Sequence, residues 1–582
     1  MKRVIPFIIL IISAALLISA CQPTENGGGE SDITYSRGLE FESNGDGTCY
    51  LKGKGSFDGT DLVIPPTSPA GDRVVAVGEA AFAGETAIQS VVIPDSVEKI
   101  GDYAFEHCRS ITGLTLGDGV TSIGKRAFVN CPLTSVDFGE GAMTIGYEAF
   151  RRSEYLTELN LSPNTVYIDD YAFYAMEKLT KVSIPASVTY IGKEAFRDCH
   201  KISSLTFDDG DEYLVIGDYA FDGVWELTEL SLPERITDIG DCAFQFCKNI
   251  KTVNFPEALE SVGNYAFAYC ELLESVNLPD GLSDLGTGVF FECNKIKSIR
   301  LPSDMTVLPD KFLMCCRALT EINLPDGLTY IGDGALDACI KIKKINIPDG
   351  VTHIGDDAFG GTAITEIIIP DSVTELGDGV FSSCEQLTTI DFPKDITIIP
   401  ERFFEHCEAL TKIEIPEGVT AIGSQAFWAC KNLSEITLPD SLTGVGYGSF
   451  KYCTALREIA LPDGFTTLSN SAFNHCKLLK SVTLPEGVTL IGEFAFNECS
   501  SLAEVVIKGD VTYIERGAFS GTAIQEITLP ESLERIDYGA FGASLVKVIY
   551  EGTEEQFASI NIHEDNAPLL NAEIEYLADA QQ

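Results

Sequence analysis

Apolar and polar positions recur along this chain with a period of 23 residues. One full copy runs through Leu319, Ile322, Leu324-Pro325, Leu328, Ile331-Gly332, Ala335-Leu336 and Cys339. Written generally, the unit is LxxIxLPxxVxxIGxxAFxxCxx. Its aromatic slot is filled by Phe82, Phe105 and Phe128 and onward to Phe519 and Phe541, with Leu313 and Leu336 as the exceptions, giving 21 units. A few steps are 22 residues, and one is 25, where Asp208 to Glu212 adds a loop. A fixed period of this length marks a repeat architecture.

The pattern of one unit predicts its local structure. LxxIxLP alternates apolar positions and then meets a proline that stops strand pairing. Asp-Gly or Glu-Gly turns the chain. VxxIG aims two further apolar groups inward and bends tightly at glycine. AFxxC carries apolar groups at i, i+1 and i+4, the spacing of one helical or 3₁₀ turn. No unit buries these groups alone, so stacked units must share one continuous core. Strands stacked in parallel at ~4.8 Å per unit make a curved rod on the order of 100 Å long.

This pattern resembles the BspA-type leucine-rich repeats of bacterial surface proteins, over residues from about 72 to 550. The resemblance implies an α/β solenoid. Its parallel sheet of LxxIxLP strands lines the concave face, short strands and helical turns lie elsewhere, and both ends are capped. Tyr35 to Ile64, with the turn Asn44-Gly45-Asp46-Gly47, looks like the N-terminal cap hairpin of such proteins. Residues 546–577 look like their C-terminal cap, with a strand at Val546 to Tyr550, a capping-box helix start at Thr553 to Gln556 and a last strand at Ala572 to Tyr576. The expected organisation is a signal peptide at 1–20, a tether at 21–34, an N-terminal cap at 35–71, the solenoid at 72–545 and a C-terminal cap and tail at 546–582.

The first residues carry an address. Lys2 and Arg3 precede an apolar run from Val4 to Leu17, followed by Ser19-Ala20-Cys21. Small residues before a cysteine resemble a bacterial lipobox, which implies lipid attachment at Cys21 and anchorage to the cell envelope. Gln22 after the cysteine favours the outer membrane or cell surface, as the resemblance implies. Gln22 to Asp32 is rich in Gly, Glu and Asn and reads as a flexible tether. No later segment reaches the ~20 apolar residues that a spanning helix needs.

Composition changes this picture in two ways. The 582 residues alone suggest about four domains, and the period replaces them with one. The net charge of −47, from 87 acidic and 40 basic side chains, repels phosphate backbones and removes nucleic acid from the expected partners. The 18 cysteines suggest a disulfide framework at first. Fourteen of them, from Cys108 to Cys499, fall in one repeat slot that Met176, Val224 or Thr362 fills elsewhere. That is a packing slot for small buried thiols. Neighbours one strand spacing apart do not meet disulfide geometry, and a linear column does not converge on zinc. Cys49, Cys242 and Cys315 stand outside the column, and their state is open.

Candidate chemistry is sparse. His107, His406 and His475 precede column cysteines, but the same slot holds Asn130, Asp198 or Tyr269 elsewhere, as a solvent-facing position does. Gly119 to Lys125 imitates a phosphate loop without the required Ser or Thr, since Arg126 stands there. The Asp-rich turns lack the ligand spacing of a calcium loop. No catalytic residue, metal site or cofactor is expected.

The exposed positions of the LxxIxLP strands are the candidate binding surface. A polar row runs along them through Asn254, Asn277, Arg300, Asn323 and Asn346. Lys251, Lys297, Arg300, Lys343 and Lys344 add a basic island to an acidic body. Glu274, Glu321 and Glu366 flank these cations, so cross-strand ion pairing is the alternative account. Relatives of this repeat type imply protein partners: host matrix or cell-surface proteins, or other bacterial surface proteins. The competing expectation is a scaffolding protein of the envelope without a host ligand.

Overall fold

The computed structural model describes residues 33–141 and 143–578. The expected signal segment, the lipid site Cys21 and all but the end of the tether lie outside the described residues.

From Ser36 onward the chain winds as a solenoid of parallel strands in two sets. The first set contains the LxxIxLP strands, three or four residues long. Ser90–Val92, Gly113–Thr115 and Ser135–Asp137 are examples, paired so that Val91, Leu114 and Val136 lie in register. The second set is formed by two-residue strands of the VxxI segment, such as Lys99–Ile100 and Ser122–Ile123. The sequence pattern showed these only as a bend. Two residues are too few to read as a strand, yet each makes its bonds because the next coil repeats in register. This second set builds the longest sheet, twelve strands from the N-terminal hairpin to Asp284–Leu285. The first set is broken into pieces of two to four strands. Counted on the second set from Thr48–Gly53 to Asn561–Ile562, the solenoid has 23 coils. The terminal segments thus add one coil at each end of the 21 aromatic-slot units.

Glycine lets the second strand set continue, and proline interrupts it. The glycine of IG donates its N–H to the preceding coil, as Gly101 does to Val77 O (2.8 Å) and Gly423 to Ile399 O (2.8 Å). It also permits close approach, since a Cβ at Gly101 would lie 2.7 Å from the Gly78 carbonyl carbon. Pro309 and Pro400 occupy this position with no N–H and with the bulk that glycine avoids. The second strand set breaks before the strands that carry these prolines, Val307–Leu308 and Ile398–Ile399, and once more before Leu490–Ile491, where the preceding coil has Ser469 in the glycine position.

The AFxxC segment is not a helical turn. Tyr103 and His107 both have left-handed φ (59° each), as do Arg126 and Asn130 one coil later (55° and 57°). Alternate N–H groups bond locally and to the next coil: Ala104 to Gly101 O, Phe105 to Ala127 O, Glu106 to Tyr103 O, His107 to Val129 O. A helix would bond within itself throughout. Here half the bonds join coils, and the left-handed residues turn every second amide outward. The described residues contain two helices, Glu554–Ser559 and Ala567–Leu570. The first has the expected capping box between Thr553 and Gln556.

The core is a column of rings. Phe105 and Phe128 stack at 5.2 Å with 5° between planes, as do Phe427 and Phe450 at 5.2 Å and 8°. Around Leu313 and Leu336 the column changes, and Phe312 meets Phe290 edge-on at 5.5 Å. The inserted loop near Asp208 is held by Arg235, only 5% exposed, which donates to the carbonyls of Asp208, Val188 and Pro185 at 3.1, 2.5 and 3.0 Å. Burial lowers the pKa of this guanidinium from its ordinary value. Three carbonyl partners satisfy the charge there.

Candidate binding surfaces

The cysteine column lies inside, beside the rings. The column thiols face the carbonyl of the aromatic-slot residue one coil back, as Cys131 faces Phe105 O (3.1 Å), Cys453 faces Phe427 O (3.2 Å) and Cys339 faces Leu313 O (3.2 Å). All described cysteines are free and buried. Burial pushes the Cys108 thiol up to about 11 and Cys199 to about 12, far from the reactive range. Cys242 and Cys315 occupy left-handed slots of the AFxxC segment, at φ 55° and 65°, and Cys49 sits in the strand Thr48–Gly53. The histidines of the slot before each column cysteine point elsewhere. His107 contacts Asn130 (3.1 Å) while Cys108 faces Phe82 O, so the two do not form a dyad.

The residues expected to bind are exposed on the LxxIxLP side. Lys251, Asn277, Lys297, Arg300, Asn323, Lys343, Lys344 and Asn346 all face solvent. Asn277 and Arg300 are register partners of paired strands. The structure divides the basic island. Lys297 binds Glu274 at 2.7 Å, and this hydrogen bond holds the Glu274 carboxyl below its usual range. Arg300 binds Asp280 (2.6 Å) and the Leu278 carbonyl (2.6 Å). Lys251, Lys343 and Lys344 form no ion pair among the described residues, so Glu321 and Glu366 do not take Lys344. The coils carrying Asn323 and Asn346 contribute no strand to this face. Beside them a groove of about 510 Å³ runs over Lys344, Asn346, Glu366, Ile368 and Asp391.

Two polar systems escaped the sequence reading. On the AFxxC side, Arg126 joins Glu106 (2.7 Å) to Glu148 (3.4 Å), and Arg197 joins Glu194 (3.1 Å) to Asp222 (3.1 Å) while lying over the Tyr219 ring. Asp222 is 4% exposed, and neither its Oδ1 nor Arg197 Nε makes a hydrogen bond despite the ion-pair distance. Burial raises the Asp222 carboxyl to about 6, against the pull of Arg197. These residues fall in variable slots, so the repeat pattern gave no signal for them. The second system is the acid after IG. Its carboxylate accepts the equivalent N–H of the next coil, as Asp102 does from Lys125 (3.0 Å) and Asp218 from Asp241 (3.0 Å). Among the described residues no three His, Cys, Asp or Glu side chains are placed to hold a metal ion. No helix of the described residues is long and apolar enough to cross a membrane.

A 23-residue coil with two parallel strand sets, a ring column and a thiol column defines a leucine-rich repeat solenoid. The chain belongs to the BspA type leucine rich repeat family, whose repeat region matches residues 75–203, 214–340, 308–434 and 420–546. It is similar to a solved leucine-rich repeat protein from Bacteroides ovatus, at 21% identity over 94% of this chain and 100% of that one, with a TM-score of 0.29. A leucine rich cell surface protein from Faecalibacterium prausnitzii is 21% identical over 82% of this chain and 94% of its own (TM-score 0.25). A leucine-rich repeat protein from Eubacterium ventriosum is 20% identical over 79% and 92% (TM-score 0.30). No curated protein matches the chain.

Proposed function

We propose that the protein is a non-catalytic binding module of the bacterial cell surface, tethered through a lipid on Cys21. Its solenoid engages protein partners in adhesion. The observation that carries this reading is the exposed row Asn277, Arg300, Asn323 and Asn346, with the unpaired lysines Lys343 and Lys344 beside it. Small polar groups repeated once per coil offer an extended partner many weak contacts along a rigid surface, and such contacts give register more than strength. Residues 35–71 and 546–577 act as caps on the two open ends of the core.

The competing role is scaffolding within the envelope. The pairing of Lys297 with Glu274 and of Arg300 with Asp280 favours it, because those cations are already neutralised. Replacing Lys297, Arg300 and Lys343 together with Glu separates the two. Adhesive binding through this face is weakened by the triple reversal, and a scaffold loses no external ligand.

A further inference from the structure

A second groove lies on the other strand set, at the break in pairing marked by Pro400. It holds about 890 Å³ and runs from Tyr330 to Gly423. Ile398, 52% exposed, and the half-buried Leu376 give it an apolar patch, while Val373 and Ile396 in its lining are buried. At the strand ends the chain supplies an acid in nearly every coil. Asp333, Asp356, Asp378 and Glu401 follow one another after the IG or IP pair, and Asp371 and Asp395 stand at the opposite turns. No lysine or arginine lines the groove. The nearby Lys394 is held by Asp371.

The carboxylates are fixed and only half used. Asp333 Oδ1 accepts the Asp356 N–H (2.8 Å), Asp356 Oδ1 accepts the Asp378 N–H (2.7 Å), and Asp378 Oδ1 accepts the Glu401 N–H (3.0 Å). Each second oxygen has no partner among the described residues. Like charges one coil apart repel each other, and a concave, low-dielectric setting focuses their field. They do not converge on a single point, so a divalent ion does not answer them. The matching ligand is a chain that carries its positive charges at intervals and lays aliphatic stems on the apolar patch, as extended lysine-rich segments do.

We propose that this groove docks an extended, lysine- or arginine-rich segment of a partner protein. The proposal rests on the protein-binding reading but not on the LxxIxLP residues, so the two fail separately. The test is calorimetric titration of the full chain with a peptide alternating Lys and Thr, about six residues or longer so that it spans the groove. A peptide with Glu in place of Lys is the charge control. The variant is Asp333→Asn, Asp356→Asn and Asp378→Asn together. Asn264 and Asn470 already fill this slot and accept the same backbone N–H (2.8 and 3.1 Å), so the fold tolerates the change. The surface control is Asp102→Asn with Asp170→Asn, the same slot in coils that line neither this groove nor the one at Asp218 and Asp241.

The expected result is binding of the Lys peptide alone, weakened about tenfold or more in the triple variant and unchanged in the control pair. If the triple variant melts early, Asp395→Asn with Glu401→Gln, whose side chains hold no backbone, carries the same expectation. No binding by the native chain, equal binding by the triple variant, or equal loss in the control pair overturns the proposal. The last outcome would mean general attraction to an acidic surface. Each of these results leaves the Lys297, Arg300 and Lys343 experiment unaffected.

Discussion

Cys131 donates its S–H to the Phe105 carbonyl oxygen, one coil back, at 3.1 Å. That oxygen already accepts the Cys108 N–H (3.2 Å), so the thiol uses its second lone pair. The same relation joins Cys199 to Phe173 (3.2 Å) and Cys430 to Phe404 (3.1 Å). A thiol is small enough for the slot, apolar enough to be buried and still able to donate, which alanine and valine are not. Ser153 does the same with its hydroxyl, toward Phe128 O at 3.3 Å.

Cys430→Ala is therefore expected to destabilise by about 1–2 kcal/mol, through a small cavity and the lost donor. Cys430→Ser keeps the donor and should cost less. Denaturant midpoints of the two variants check the order. Equal loss in both would mean that the S–H contact contributes nothing.

The column also predicts chemical silence. With every described cysteine buried, and burial raising the Cys108 and Cys199 thiols to about 11 and 12, a thiol reagent should label none of them in the folded chain at neutral pH. Labelling counted by mass spectrometry, before and after unfolding, reads this directly. Rapid native labelling at any column position would contradict the packing.

Arg235 holds the one long coil closed by its three carbonyl bonds. Arg235→Met fills similar space but removes all three guanidinium bonds, leaving Pro185 O with only the Val188 N–H (3.1 Å). The expected loss is about 2–4 kcal/mol, concentrated in the coils around Asp208. Hydrogen exchange should show faster opening there than in distant coils, because a solenoid unit contacts only its neighbours. Uniform loosening along the chain would argue against a local clamp.

Asp222 gives a pH dependence of unusual sign. Its carboxyl is raised to about 6 in the folded chain from an ordinary 3.8. Between those values the folded chain binds the proton and the unfolded chain does not. This residue therefore costs stability at pH 7, and the cost is relieved as pH falls toward 4. Asp222→Asn is expected to stabilise by up to about 3 kcal/mol at neutral pH, and by little near pH 4. Thermal melts of both proteins at the two pH values check this. A variant destabilised at neutral pH would show that the charged pair with Arg197 is net favourable.

Much of this was legible because burial repeats. The ring column and the thiol column fall where the apolar period places them, and the capping box at Thr553 and Gln556 falls where its own Thr-x-x-Gln signature does. The two-residue strands were not legible, since Ser122–Ile123 is too short for alternation to register. The left-handed residues of AFxxC were hidden because Tyr103, Arg126, Glu148 and Cys242 share a backbone conformation and no side-chain chemistry. Glycine at Gly288 and Gly334 in the same slot, with φ 62° and 59°, was the available signal. The basic island was visible as charge, but its division depended on which acids came within reach. Glu274 takes Lys297, while Glu321 and Glu366 leave Lys344 free.

The most direct test of the binding role is a pull-down of the 33–582 fragment against matrix proteins and envelope extracts, run beside the variant with Lys297, Arg300 and Lys343 replaced by Glu. The expected result is a defined protein retained by the native fragment and lost from the variant. Retention of nothing, or of the same protein equally by both, would contradict binding through the LxxIxLP face.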